Sequence, residues 1–280
     1  MSQLLKKKIE FINTRRSLPG RVGLVPTMGN LHQGHLDLIE QAAKDCDHVL
    51  ITIFVNPKQF GPNEDFEKYP RTLEEDIQKI ESLKDNKKFI IFAPETMDEI
   101  YPEGFQTEIK VNEITEKLCG IYRPGHFDGV TTVVYQLFSI TMPHMAYFGQ
   151  KDYQQFKVIE KMSKDLLLPL SLVMVPTRRE ESGLAMSSRN QYLSSEEKEK
   201  ALNLPTKLRE LAENLVSNKD YVVLKEKISE TLNQDPNWQY LEVLDAETFE
   251  EVHTGSKTYL LAGAYLLGKT RLIDNVLIGV

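Results

Sequence analysis

VPTMGNLHQGHLDLI, residues 25–39, decides the fold. An apolar run, Val22 to Val25, enters a glycine-containing turn, and the stretch leaving it, Leu36 to Asp45, has the spacing of an amphipathic helix. A buried strand turned by glycine into a helix is the opening unit of βα repetition and a parallel sheet. Outward from it, Val49 to Val55 (VLITIFV), Phe89 to Phe92 (FIIF) and Met145 to Phe148 (MAYF) read as further strands buried on both faces. Thr72 to Leu83 and Tyr153 to Leu166 read as helices between or after them, and the basic N-terminal stretch to Ser17 also has a helical pattern. Thr131 to Ile140 is too β-branched to assign by propensity.

The predicted fold class is α/β, a Rossmann-like doubly wound parallel sheet with a smaller C-terminal α/β domain. Composition shifts near residue 176, beyond which charged helices (Ser195 to Asn218, Val222 to Leu232) precede three strands. The expected domains are 1–176 and 177–280, with the polar stretch Thr177 to Gly183 as the hinge.

The 280 residues carry 34 Lys+Arg against 41 Asp+Glu, a net charge of −7. That balance excludes a protein whose main work is gripping nucleic acid, which needs a basic surface. No apolar run approaches the roughly 20 residues of a membrane helix, and the N-terminus lacks the form of a secretory signal. Cys46 and Cys119 fall in no metal or disulfide pattern, so a cytoplasmic protein with reduced thiols is expected.

In the opening stretch His32 and His35 sit three apart around Gly34. With a helix starting near His32, both imidazoles share one face of its first turn, beside unpaired backbone N–H groups where a phosphate belongs. Gly29 and Gly34 leave room for close approach of a nucleotide. The bland alternative is one histidine capping the helix and the other packing.

A second segment, FVNPKQFGPNEDFEKYPR (54–71), leaves the carboxyl end of a strand, where doubly wound sheets hold their ligands. Asn56 and Gln59 suit a small hydroxylated, carboxylated molecule there, and Phe60 to Pro70 reads either as a water-excluding lid or as a plain surface loop. In FGQKDYQQF (148–156), Lys151 suits a phosphate and Asp152 a ribose hydroxyl; in GLAMSSRNQYL (183–193), Ser187, Ser188 and Arg189 suit a triphosphate. Each alone reads more readily as a capping turn or a solvated charge; together with the HxGH stretch they point to one site. Lys161 to Lys164 (KMSK) lie inside a predicted helix and are set aside as a solvated face.

PTMGNLHQGHLDL, FVNPKQF, RPGHFDGV, FGQKDYQQ and GLAMSSRN, in that order, closely resemble the pantoate–β-alanine ligase (pantothenate synthetase) family, over essentially the whole chain. The resemblance implies an amide-forming ligase using ATP and Mg²⁺ to join pantoate and β-alanine through a pantoyl adenylate, and a homodimer. It places Met28, Gly29, Asn30, Leu31, His32, Gln33, Gly34 and His35 on ATP, with His35 as proton donor. Gly149, Gln150, Lys151 and Asp152 are also implied at the nucleotide, with Lys151 at its phosphates, and Met186, Ser187, Ser188 and Arg189 close over the triphosphate. Gln59 is implied at both pantoate and β-alanine, and Gln155 and Asn56 at pantoate. Arg123 and His126 line the same cleft. His35, His32, Lys151 and Arg189 form the expected catalytic set. The chain departs from the pattern where PTVRExDGLA is usual: it has PTRREESGLA, with Arg178 near the adenine and Ser182 in place of an acid. The rival reading is another HxGH enzyme, a nucleotidylyltransferase that keeps the nucleotidyl group in its product.

Overall fold

The computed structural model describes residues 2–62, 64–83, 89–218, 221–253 and 255–279. Its first half runs β1 (Gln3–Leu5), α1 (Lys8–Ser17), β2 (Val22–Thr27), α2 (Gln33–Asp45), β3 (His48–Ile53), α3 (Leu73–Glu81) and β4 (Phe89–Phe92). There follow the one-turn α4 (Cys119–Tyr122), α5 (His126–Thr141), β5 (Met145–Gly149), α6 (Tyr153–Asp165) and β6 (Ser171–Val175). The last part contains α7 (Ser195–Ala201), α8 (Asn203–Asn218), α9 (Tyr221–Gln234), β7 (Trp238–Asp245), β8 (Thr258–Leu267) and β9 (Thr270–Gly279).

Among the described residues β1 to β6 form one parallel sheet in the order β1-β4-β3-β2-β5-β6. The strands are buried on both faces, so successive residues feed two cores. Leu24, Leu50, Ile90, Phe92 and Phe148 join the core beneath α1, α5 and α6; Val25, Ile51, Ile91 and Tyr147 join the one beneath α2 and α3. The chain builds outward from β2 to β3 and β4, then returns to β2's other side for β5 and β6, so the order reverses between β2 and β5. Ligand crevices of open α/β sheets form at such a reversal, beyond the carboxyl ends of the strands. Here the crevice is widened by the sequence. The β2–β5 ladder comprises only Gly23 with Met145 and Leu24 with Ala146, and Pro26, which has no N–H to give, lies beyond it.

Two predicted assignments change. Residues 3–5 are not helical but an edge strand paired with β4, because Leu5 gains burial there that a surface helix would not supply. The stretch 131–140 is helix, the inner part of α5. Val130, Val133, Val134 and Leu137 form an i, i+3, i+4, i+7 stripe, and its burial outweighs the modest helical penalty of β-branching.

In the last part, α7 to α9 cover one face of an antiparallel sheet β7-β8-β9 and enclose their own core around Leu208, Leu211, Leu241, Leu261 and Tyr265. The other face of that sheet contributes Tyr240, Leu260, Ala262 and Ala264 to the core under α5 and α6.

Candidate active site

The crevice at the sheet reversal encloses a cavity of about 240 Å³. Its walls come from the loops after β2, β3, β5 and β6, from α5, and from the loop containing Met186 to Arg189.

The loop after β2 turns at Gly29 (φ +82°), and His32 is the N-cap of α2. The N–H of His32 donates to Nδ1 of His35 at 3.2 Å, and the two rings lie 4.0 Å apart. Gly34 favours this close approach of the tilted rings: a Cβ there would stand 3.1 Å from the His32 ring. Because Nδ1 of His35 accepts a hydrogen bond, its proton sits on Nε2, which makes Nε2 a fixed donor. Burial, with the neighbouring Lys151 charge, pushes the His32 pKa down to about 4; burial, with His32 and the lysines 151 and 79 beside it, holds His35 well below its ordinary value. Burial thus favours the neutral form of both imidazoles at pH 7, with His35 presenting its Nε2–H as a donor.

The backbone N–H groups just ahead of the helix are engaged within the protein. The N–H groups of Asn30 and Leu31 donate to the two oxygens of Asp76 (2.9 and 2.7 Å), which is fully buried on α3, and Lys79 Nζ donates to the Leu31 carbonyl. Gly29 serves this contact, since a Cβ on it would meet Asp76 Oδ2 at 3.1 Å. Met28, His32, Gly34 and His35 line the cavity; Gly29, Asn30, Leu31, Gln33 and Gln150 are not among its lining residues. Asp76 was missed in the sequence because an acid in a helix's first turn has a sufficient local explanation in the helix dipole.

Gln59 ends a short turn, Pro57–Gln59, that packs on α5. Its Nε2 donates to Met28 Sδ at 3.0 Å and its Oε1 accepts from Asn56 Nδ2 at 3.1 Å. Asn56 is 1% exposed, and its amide also bonds the Gly129 carbonyl, the Lys58 N–H and Tyr101 Oη. Asn56 lines the cavity, and its amide, bonded at both ends, holds Gln59. His126 is held likewise. Arg123 Nη1 donates to His126 Nε2 (2.9 Å), so the Nδ1–H donates to the Gln59 carbonyl (2.8 Å), and burial beside Arg123 lowers the His126 pKa to about 3.

Lys151, Asp152 and Gln155 line the cavity from the loop after β5 and the start of α6. The Lys161 to Lys164 stretch lies in α6, where Lys161 pairs with Asp165. Met186, Ser187, Ser188 and Arg189 reach the opposite lip. Ser188 Oγ donates to the Asn30 carbonyl, and Arg189 Nη2 lies 3.0 Å from Asp65 Oδ1. Residues 60–70, of which Asn63 lies outside the described set, form a loop with its own aromatic cluster, Phe60, Phe66 and Tyr69. That loop is tied to both sides of the crevice, by Glu64 to Arg123 and by Asp65 to Arg189. Arg178 lines the cavity and pairs with Asp37 on α2 at 2.9 Å, which gives this departure from the family pattern a partner. Ser182 Oγ accepts from the Leu184 N–H.

Among the described residues no group of three or more His, Cys, Asp or Glu side chains is placed to hold a metal ion. Among the described residues Asp152 is the acid that lines the cavity, 3.7 Å from Lys151 Nζ; nearby, Asp76 is engaged by backbone N–H groups, and Asp65 and Glu64 by arginines.

Neutral donors at a helix start, a lysine and an arginine from two other loops, and amides opposite them, all at the reversal of a parallel sheet, define a nucleotide-dependent α/β enzyme of the HxGH type. A family model described as pantoate-beta-alanine ligase matches residues 3–277. The pantothenate synthetase of Acetivibrio thermocellus is 47% identical over 274 residues, 96% of each chain, and that of Thermoanaerobacter sp. strain X514 is 48% identical over 263 residues, 92% of this chain and 91% of the relative. The crystal structure of the Thermus thermophilus enzyme superposes with a TM-score of 0.90 at 40% identity, covering 98% of both chains. Pantoate-beta-alanine ligase from Francisella tularensis, complexed with beta-gamma ATP and beta-alanine, gives a TM-score of 0.77 at 35% identity, covering 99% of this chain and 98% of that one. The chain belongs to the pantoate–β-alanine ligase family, and is a ligase that forms an amide bond.

Proposed function

We propose that the crevice condenses pantoate with β-alanine, using ATP and forming a pantoyl adenylate, with release of pyrophosphate and then AMP. The observation that carries this reading is the lining of one cavity, which combines the donors His32, His35, Lys151 and Arg189 with the amides Gln59 and Gln155 and the apolar Val130, Val133, Val134, Leu137 and Phe148. The first set suits a triphosphate and the second a hydroxylated acid carrying two methyl groups. Family membership and the ATP and β-alanine held by the Francisella relative support it.

In the first step the pantoate carboxylate, ionised at neutral pH, attacks the α-phosphorus, and the bond to pyrophosphate breaks. No general base is required. Lys151 and Arg189 supply positive charge and the imidazoles supply N–H donors, aimed where negative charge moves from the α-phosphate to the leaving group. Mg²⁺, implied by the family resemblance, would supply charge at the triphosphate if bound there, alongside Lys151 and Arg189. In the second step the β-alanine amine attacks the acyl carbon and AMP leaves. Its proton is not suited to the cleft histidines, whose pKa values are depressed and of which His126 has both ring nitrogens bonded. It passes to the departing AMP phosphate or to water. The 60–70 loop and the Met186 to Arg189 loop limit hydrolysis of the adenylate.

Residues 1–176 and 177–280 are proposed as the two functional halves, the second bringing Arg189 to the first; a separate core under α7 to α9 supports the division. A homodimer and a cytoplasmic location are proposed from the family resemblance, in keeping with two buried cysteines that form no disulfide. Among the described residues no helix is long and apolar enough to cross a membrane. The deciding experiment measures AMP with ATP and Mg²⁺ present while pantoate or β-alanine is omitted in turn. AMP released together with the amide, and dependent on both, is expected. A nucleotidyl group retained in the product rejects the reading and favours an HxGH nucleotidylyltransferase.

A further inference from the structure

Tyr101 follows the turn after β4 and does not line the cavity, yet it is tied to the residue that faces pantoate in the proposed reading. Its ring is buried, 7% exposed, against Phe54 and Phe105, with Lys58 Nζ 5.4 Å above it. Its hydroxyl donates to Asn56 Oδ1 at 2.8 Å, the shortest bond that this amide makes; the Lys58 N–H reaches the same oxygen at 3.2 Å. A hydroxyl and a backbone N–H on one side require oxygen there, so the Asn56 nitrogen faces the other way. There it donates to the Gly129 carbonyl and to Gln59 Oε1, both at 3.1 Å. Gln59 is left with its Nε2 as the free end of the chain, against Met28 at the cavity wall. The donor and acceptor character of each link is thus dictated by the one before it.

We propose that Tyr101 is a positioning residue for the ligase reaction: through Asn56 it holds the Gln59 amide with its N–H₂ end toward the acid substrate, so that Gln59 meets that substrate as a donor. The inference rests on Gln59 serving pantoate, and ATP does not enter the chain of bonds.

Tyr101→Phe keeps the ring and removes the first link. The expected result is a rise of about fivefold in the pantoate KM, the size of one modest hydrogen bond, with the ATP KM unchanged and the protein folded at the assay temperature. In a Gln59→Ala background the same change adds less than about twofold, because its effect passes through Gln59. Asn56→Asp keeps the shape, replaces the donor to Gln59 with an acceptor, and turns the amide round; it raises the pantoate KM further and likewise adds little in Gln59→Ala. An equal loss in both backgrounds, or an ATP KM that moves as much as the pantoate KM, overturns the proposal. If Gln59→Ala raises the pantoate KM while Tyr101→Phe and Asn56→Asp do not, the relay alone fails. If Gln59→Ala leaves the pantoate KM at its wild-type value, the assignment of Gln59 to pantoate fails, and the relay with it.

Discussion

The backbone N–H of His32 donates to Nδ1 of His35, and this single contact makes Nε2 of His35 a fixed hydrogen-bond donor in a cleft too dry to keep the ring charged. A donor, unlike an acid, is replaceable by another donor. His35→Ala is expected to slow pantoate-dependent ATP–pyrophosphate exchange by about 10²–10⁴. His35→Gln, whose amide N–H reaches a similar distance, is expected to recover at least about tenfold of that loss. Exchange at near-normal rate in folded His35→Ala would remove the role; no recovery by Gln would point to a proton donor.

The same burial makes the fold acid-sensitive. His32 and His126 titrate at about 4 and about 3 when folded, His35 is also lowered, and all three have the ordinary value near 6.5 when unfolded. Between pH 6.5 and the folded values the unfolded chain binds more protons, so stability falls as pH falls, by up to about 1.4 kcal/mol per pH unit for each histidine. Above pH 7 these groups contribute no slope. Urea unfolding of wild type and His32→Gln at pH 7 and pH 5 checks this: the variant loses less stability over the interval. An identical loss in the two proteins shows that His32 is not depressed.

Arg189 cannot serve Asp65 and a triphosphate equally. The pair is part-exposed, 29% and 25%, so its net worth is at most about 1 kcal/mol, equivalent to roughly fivefold in affinity. Asp65→Asn frees the guanidinium and is expected to lower the ATP Kd by about two- to fivefold, with a smaller gain at high salt. Titration calorimetry at two ionic strengths measures it. Weaker ATP binding in Asp65→Asn means instead that the carboxylate holds Arg189 in place for the nucleotide.

Gly129 marks where α5 meets the turn bearing Gln59. A Cβ there would lie 2.1 Å from the Lys58 carbonyl oxygen and 2.7 Å from the Gln59 nitrogen, both backbone atoms that cannot swing aside. Gly129→Ala is expected to cost about 1–3 kcal/mol of stability and to cut pantoate-dependent turnover more than about tenfold. Gly149, where a Cβ meets nothing within 4 Å, supplies the contrast: Gly149→Ala is expected to leave the melting temperature unchanged. Thermal unfolding of the two variants decides the point.

The architecture was legible because its signals are local. VGLV, FIIF and MAYF are too apolar to face water on either side, and a glycine turn leading into a helix after a buried strand is a local pattern. Residues 131–140 were not legible, since the stripe from Val130 to Leu137 becomes decisive only with a sheet to cover it. Within the site, His32, His35, Gln59, Lys151 and Arg189 could be picked out because each lies in a short motif at a strand end. Asp76, Tyr101, Glu64 and Asp65 could not.

What the sequence alone determined is the order of β2 to β5 with the helices α2, α3 and α6, and the motifs that line the cleft, since both depend on neighbours within about ten positions. Only the tertiary structure decided which polar groups are already spent. Asp76 reaches Asn30 and Leu31 from 46 and 45 residues away, Tyr101 reaches Asn56 from 45, and Asp65 meets Arg189 from 124. A hydrogen bond satisfies its partners only at about 3 Å, and folding alone brings such distant residues that close. Asn56, in the cavity wall, is for that reason tied to Tyr101 and Gln59, and the turn at Gly29 is closed by a carboxylate from α3.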